Sequence, residues 1–517
     1  MAEITEGLRY NRKNPRPSTS MHHPDGGSYR CRWIEDSITI HSDGNVSCGL
    51  DDPHGQRSYG NIYTQSVAEI FANPEYGALQ HQLAKGWRCL ECGHYRPRKN
   101  NNGPPARPIV PTRLVVETTV TCNIRCVNMP CFANNDANET TRNSKMLDLE
   151  KFKAAIDQVA PGLKTVNFYN YGEPFMHRQA EDMLLYMREK APDAFIVTST
   201  NGIPLFNKSR AERVVAARPD RITFTIGGIT QESYGRYHVR GRVDQALGGL
   251  KNVCDAKRAQ QNKQTQIVWR YLAFHWNDSD REIDSAIAMA KEWGVDCFSL
   301  YLTNTPPEGR SIRLSPGSPG YWKYRGFVHV NDEGELNHIY RSELPDSDGL
   351  YRVVENHALG RIRWTSSRAR LRIRREGDML NVSVTTNRQK CRDRNDSCTL
   401  HTAWGRFDLP VQFKRWHHAS IPVPRRFKAH DEFEVELVAN DPWYPAEEAG
   451  AANDMRCLGV ILEVGEKPAE AALSYLALPV GLDPMRWGEA APLPGGVTIY
   501  DKGSMRRSPD SETASPA

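Results

Sequence analysis

The sequence lacks any long apolar run. No stretch of its 517 residues approaches the ~20 continuous apolar residues that a membrane span requires, so no membrane partner is expected. It lacks a charge bias as well. Its 67 Lys and Arg stand against 62 Asp and Glu, a net charge of +5, which predicts neither a nucleic-acid nor a membrane-surface partner. The opening MAEITEGLRYNRKNPRPSTS is polar and has no apolar h-region, so no secretory signal is expected. Cysteine is sparse, twelve in all, too dilute for a disulfide scaffold. Charged residues at 25% and hydrophobic residues at 39% describe a soluble globular chain, and the length predicts roughly three domains.

The few cysteines that are present are clustered. Cys31, Cys48, Cys89, Cys92, Cys122, Cys126 and Cys131 all fall in the first 131 residues. In a chain without an export signal, gathered thiols point to metal rather than to disulfides. Cys254, Cys297, Cys391, Cys398 and Cys457 are scattered and read as ordinary thiols.

The remaining pattern divides the chain. Residues 1–30 read as a flexible arm, 31–95 as a small Cys-bearing unit and 96–112 as a basic, Pro-rich linker. From 113 to about 310, β-branched runs alternate with amphipathic helical patterns. Strands are predicted at 114–120, 165–171, 194–200, 221–226, 266–274 and 297–303. Helices are predicted at 147–160, 179–191, 208–217, 243–260 and 281–294. Such alternation predicts βα units on a parallel sheet, open or barrel-like. Residues 311–349 read as a connector. Short alternating runs over 350–465, such as ARLRIR (369–374), LNVSV (380–384) and FEVELV (433–438), predict an antiparallel β-sandwich, and 466–517 an extended tail.

TTVTCNIRCVNMPC (118–131) sets Cys122, Cys126 and Cys131 on the loop after the first strand of the α/β region. A closed structural zinc or iron–sulfur site takes four ligands. Three thiolates leave one position open to a small molecule, at the strand end where α/β ligand sites lie. The region 113–305 resembles the radical S-adenosylmethionine (SAM) enzymes, which carry a cysteine triad after the first strand of a partial (β/α)6 TIM-like barrel. The usual spacing there is three residues then two, whereas this chain has three then four. Tyr171-Gly172-Glu173-Pro174 resembles the family's GGEP segment, which receives the SAM amino group. Thr198-Ser199-Thr200-Asn201-Gly202 resembles the TNG segment near the ribose. Thr225-Ile226-Gly227-Gly228 resembles S-x-D-G, with Gly227 in place of the acid. TQESYGRYHVRG (230–241) resembles the segment whose arginine approaches the SAM carboxylate, which nominates Arg240.

The resemblance implies that Cys122, Cys126 and Cys131 hold a [4Fe-4S] cluster whose fourth iron is chelated by SAM. Gly172, Glu173, Pro174, Thr200, Asn201, Thr225 and Arg240 would bind SAM. The reduced cluster would cleave SAM to methionine and a 5′-deoxyadenosyl radical, which abstracts hydrogen from a substrate C–H bond. The activity implied is an oxidation or epimerisation, with a reducing electron donor such as flavodoxin or ferredoxin as partner. Iron–sulfur clusters imply a reducing, cytoplasmic setting.

Cys31, Cys48, Cys89 and Cys92 read as C-x16-C…C-x2-C. Among them stand SDGN (42–45), a hairpin signal, and Ser66 with Glu69, a capping box. The set resembles the auxiliary-cluster domain called SPASM or, shortened, twitch, here placed before the barrel, with ligands for one auxiliary [4Fe-4S] cluster. A zinc ribbon uses the same ligands. His177, His275, His417 and His418 share no ligand spacing and read as structural. Arg370, Arg372 and Arg374 alternate with Leu371 and Ile373, as on the wet face of a strand. GLYRVVENHALGRIRWTSSRARLRI (349–373), NDPWYP (440–445) and NDMRCLGVIL (453–462) resemble a β-sandwich module of glycosyltransferases and surface-polysaccharide proteins, which implies a sugar-bearing metabolite as substrate. A peptide substrate, as for SPASM-bearing relatives that modify ribosomal peptides, is the second expectation. A non-catalytic zinc or iron–sulfur protein on a degenerate barrel is the third.

Overall fold

The computed structural model describes residues 28–48, 58–85, 96–97, 110–127, 142–303, 306–329, 345, 348–351, 355–357, 360–375, 377–394, 396–449, 454, 456–463 and 498–499. The chain divides into two compact units, residues 1–269 and 270–517. All six strands and all five helices expected between 113 and 303 are present. The strands are Arg113–Val116, Thr165–Asn167, Phe195–Thr200, Arg221–Thr225, Gln266–Ala273 and Cys297–Leu302. The fifth, Gln266–Ala273, has residues in both units.

In the first unit the sheet order is Val46–Ser47, Ser37–Ile40, Arg113–Val116, Thr165–Asn167, Phe195–Thr200 and Arg221–Thr225. The first pair is antiparallel and every later pair is parallel. The strand Ser37–Ile40 is thus an additional parallel strand beside the first strand of the α/β region. Its turn is the expected hairpin: the His41 N–H donates to Asn45 O at 2.8 Å and the Gly44 N–H to His41 O at 2.9 Å. Register places Ile38, Leu114, Val166 and Ile196 side by side on one face, all fully buried. The next residue along each strand, Thr39, Val115, Asn167 and Val197, faces the other way. Ser199 and Thr223, also paired, share that second face, as do Arg113 and Arg221 at the starts of their strands.

The helices form for local reasons. Leu149–Val159 starts where the Asp148 side chain accepts the Lys151 N–H, and it buries Phe152, Ala155, Ile156 and Val159 at helical spacing. Val67–Phe71 opens on the reciprocal Ser66–Glu69 capping box. In the second unit, Asp280–Trp293 is capped by Ser279 and ends on Gly294, and it buries Ile283, Ala286, Ile287 and Ala290.

The second unit also contains two antiparallel sheets. One runs Glu355–His357, Gly360–Trp364, Ile461–Glu463, Met379–Thr385, His417–Pro422. The other runs Arg368–Arg374, Glu432–Ala439, Asp396–Thr402, Gly405–Val411. A single apolar cluster draws on both, with Leu380, Val384, Ile421 and Leu462 from the first and Leu371, Ile373, Leu400, Val435 and Leu437 from the second. On the wet face, Arg370, Arg372 and Arg374 lie opposite Glu436, Glu434 and Glu432, a ladder of cross-strand charge pairs. The GLYR, RWT and D-x-R-x-L-G fragments meet in a small second cluster of Tyr351, Trp364, Trp443 and Leu458. Trp364 and Trp443 pack edge to face and are buried, so they serve the core rather than a surface. No described helix is long and apolar enough to cross a membrane.

Candidate functional site

The strand Arg113–Val116 delivers the chain to a loop with a closed stem. The Leu147 N–H donates to Thr118 O at 2.9 Å, and the Thr119 hydroxyl donates to Lys145 O at 2.7 Å. Cys122 and Cys126 ride on the outgoing limb, both half-buried. The short strand Arg125–Cys126 pairs antiparallel with His238–Val239, which sets Cys126 opposite His238. Cys126 Sγ lies 3.6 Å from His238 Nδ1, and Asn201 Nδ2 points at Cys122 Sγ from 3.8 Å. His238 sits between Tyr234 and Tyr237, with ring centroids at 4.6 and 4.9 Å. Burial pushes its imidazole down to about 3.

The YGEP and TNG segments converge on this loop. Gly172 has φ +86°, and a Cβ there would stand 2.3 Å from Thr119 O, so only glycine lets the two loops approach. The Glu173 N–H donates to Thr121 O at 2.9 Å. The Glu173 carboxylate, 2% exposed, accepts the Thr200 hydroxyl and the Asn201 N–H, each at 2.7 Å, and the Phe175 N–H at 3.3 Å. Burial pushes this carboxyl up to about 7 against those three donors. Glu173 therefore fastens one loop to the other. Pro174 opens the short helical turn that follows it. Asn201 in turn donates to Asn123 Oδ1 at 2.8 Å. Thr225 ends its strand half-buried, and Arg240 is exposed with φ +69° just beyond His238–Val239.

A buried carboxylate that the sequence reading passed over ties these parts together. Glu117, fully buried, receives Arg142 Nε at 2.8 Å and Nη2 at 3.2 Å. It also receives the Ser42 N–H at 3.1 Å and Asn170 Nδ2 at 3.0 Å. Arg142 Nη2 contacts His41 Nδ1 at 2.8 Å. The Asn143 N–H donates to Asp43 and the Ser42 hydroxyl to Ser144 O, so the SDGN hairpin grips the return limb of the cysteine loop. Burial raises the Glu117 carboxyl, but its interactions with His41 and Arg142 outweigh that and hold it down at about 2. The signal available in the sequence was an acid inside the apolar run VVETTV, which a buried strand tolerates only when the charge is paired.

Cys31, buried, precedes the helix Arg32–Glu35, and Cys48 follows the strand Val46–Ser47, one on each side of the same hairpin. Cys89, Cys92 and Cys131 lie outside the described residues. Among the described residues no three His, Cys, Asp or Glu side chains converge as for one ion. His177 is structural, receiving the Gln179 N–H at 3.0 Å on Nδ1 and meeting Leu147 O at 2.9 Å with Nε2. Cys122 and Cys126 suit a thiolate-held group: both are free of disulfides, and each sulfur has a side-chain nitrogen beside it. Asn123 Nδ2 and His238 Nε2 are buried there without hydrogen-bond partners among the described residues.

Comparison with known proteins agrees with this geometry. Residues 116–284 match the Radical SAM superfamily, and residues 31–93 match SPASM, an iron–sulfur cluster-binding domain. These two domains carry a SAM-binding [4Fe-4S] cluster, an auxiliary iron–sulfur cluster and SAM as cofactors. The chain is 30% identical over 146 residues to an Fe-coproporphyrin III synthase of Methanosarcina barkeri, over 28% of this chain and 34% of that protein. Among solved structures, anSMEcpe with bound AdoMet is 14% identical, over 37% of this chain and 51% of the other, with a TM-score of 0.29. TsrM from Kitasatospora setae, with cobalamin and a [4Fe-4S] cluster, is 13% identical, over 36% and 33%, with a TM-score of 0.27. The chain thus spans about a third of the curated relative and about half of the first of these solved chains.

Proposed function

We propose that this chain, which carries a radical SAM domain and a SPASM domain, cleaves SAM reductively and uses the resulting radical to oxidise or epimerise a substrate at a C–H bond. Cys122, Cys126 and Cys131 hold the SAM-binding cluster, and Cys31, Cys48, Cys89 and Cys92 hold the auxiliary one. When bound and reduced, the first cluster supplies the electron that splits SAM into methionine and the 5′-deoxyadenosyl radical. The protein's own part is placement. Glu173 locks Thr200 and Asn201 against the cysteine loop, and Gly172, Pro174, Thr200, Asn201 and Thr225 bind SAM. Arg240, exposed and next to the strand that pairs with Cys126, meets the SAM carboxylate. The observation that carries the reading is this convergence of the YGEP and TNG segments on the loop bearing Cys122 and Cys126.

The two antiparallel sheets of the second unit form a β-sandwich about their common apolar cluster. The substrate class we favour is an uncharged, hydroxyl-rich metabolite such as a sugar derivative. The sheet face bearing Thr39, Asn167, Ser199 and Thr223 supports it with hydroxyl and amide groups, the arginines of that face, Arg113 and Arg221, standing at the starts of their strands. An electron donor of the flavodoxin or ferredoxin class completes the system. The test is anaerobic reconstitution, reduction with dithionite in the presence of SAM, and assay for 5′-deoxyadenosine. Wild type is expected to form it, and Cys122→Ala/Cys126→Ala/Cys131→Ala is not. A protein that binds zinc in place of iron and forms no 5′-deoxyadenosine overturns the proposal.

A further inference from the structure

The segment after the fourth strand of the α/β region contains a buried histidine beside one of the cysteines. His238 is buried, 1% exposed, and its position is doubly fixed. Its backbone is paired with that of Cys126, and the neighbouring Val127 N–H donates to Tyr237 O at 3.1 Å. Its ring is held between Tyr234 and Tyr237. The result is Nδ1 at 3.6 Å from Cys126 Sγ, a normal separation for an N–H···S hydrogen bond, while Nε2 has no partner among the described residues. An imidazole with a single N–H can place it on either nitrogen. With a thiolate at Cys126 the proton belongs on Nδ1, where it meets an acceptor, and not on Nε2, where it would be buried and unbonded.

We propose that His238 is a positioning and tuning residue for the SAM-binding cluster, donating its Nδ1–H to the Cys126 sulfur and thereby raising the cluster's reduction potential. This rests on the assignment of Cys126 as a cluster ligand. A hydrogen bond to a ligating sulfur stabilises the more negative, reduced state, because the added electron places charge on the sulfurs. Hydrogen bonds around a ligand are a general means by which a protein sets a metal centre's potential. Tyr234 and Tyr237 keep the ring plane in place, so the donor does not turn away from the sulfur.

The proposal is tested by redox titration of the reconstituted full chain, followed by electron paramagnetic resonance. The SAM-binding cluster is identified by the change that added SAM makes to its signal. His238→Phe keeps a ring between the two tyrosines and removes the donor. His238→Asn removes the ring but retains an amide N–H near the place of Nδ1. With the hydrogen bond as the cause, His238→Phe has a reduced-to-oxidised ratio about tenfold lower at the wild-type midpoint, and His238→Asn recovers most of that loss. A purely structural ring gives the reverse order, with Asn the more damaged. That order, or a His238→Phe midpoint equal to wild type, overturns the proposal. If His238→Phe fails to take up iron, His238→Asn decides alone, and its failure to do so as well overturns it. Cys126→Ala separates the two readings: survival of the SAM-responsive signal in that variant refutes Cys126 as ligand, whatever His238 does.

Discussion

Arg142 and Glu117 form a buried bidentate pair, Nε to Oε1 at 2.8 Å and Nη2 to Oε2 at 3.2 Å, with side chains 1% and 0% exposed. The pair closes the cysteine loop on itself, because Glu117 stands just before the loop and Arg142 on its return limb. Glu117→Gln leaves the guanidinium buried without its counter-charge. A loss of about 3–5 kcal/mol in unfolding free energy is expected, read by chemical denaturation. Glu117→Leu/Arg142→Met recovers part of that loss, since no isolated charge remains.

The same carboxylate sets an acid limit. Its pKa falls to about 2 in the fold, below the unfolded value of roughly 4.3. The folded state therefore binds its proton less readily than the unfolded chain. The stability it contributes is present above the unfolded value and is lost as pH falls toward 2. Wild type is expected to lose more stability than Glu117→Leu/Arg142→Met between pH 5 and pH 3, measured by thermal melts across that range.

Gly172→Ala puts a Cβ 2.3 Å from Thr119 O at φ +86°. About 2–4 kcal/mol of strain is expected, relieved by separation of the YGEP loop from the cysteine loop. Calorimetric titration with SAM should then show at least about tenfold weaker binding, since 1.4 kcal/mol of lost placement already suffices.

Cys31→Ala/Cys48→Ala removes two ligands from the N-terminal set only. Iron per chain is expected to fall by about four, while the SAM-responsive cluster signal persists. Unchanged iron with loss of bound zinc would assign that set to zinc instead.

Leu437→Ala tests the second unit. The residue is 1% exposed in the cluster shared by the two antiparallel sheets. Denaturation should report a loss of about 2–5 kcal/mol, with iron content unaltered.

Much of this was legible in the sequence because it is local. Six strands and five helices followed from apolar periodicity, and the Ser66–Glu69 box and the SDGN hairpin from spacing over a few residues. The YGEP and TNG segments were legible as motifs, and their union through Glu173 follows from one carboxylate accepting three donors. What was not legible joins residues far apart. Glu117 meets Ser42, Arg142 and Asn170, and Cys126 meets His238, through loops whose return paths no periodicity encodes. The strand Ser37–Ile40 is an arm of the hairpin that SDGN predicts. Its parallel pairing with Arg113–Val116 was hidden, because a four-residue buried run carries no mark of which neighbour it joins. Trp364 and Trp443 lie in the segments that resemble a saccharide-associated module, and their burial gives them a packing role.

That early strand has a consequence for how the chain can be cut. With Ser37–Ile40 in place, the backbone groups of Arg113–Val116 on that side are bonded, and the neighbouring turn closes the row. A fragment beginning at residue 113 would expose them as an unprotected, β-branched rim, a template for intermolecular pairing. Trimming the chain back to its α/β region would thus yield a sticky product, because the segment that precedes it also serves as its selvedge.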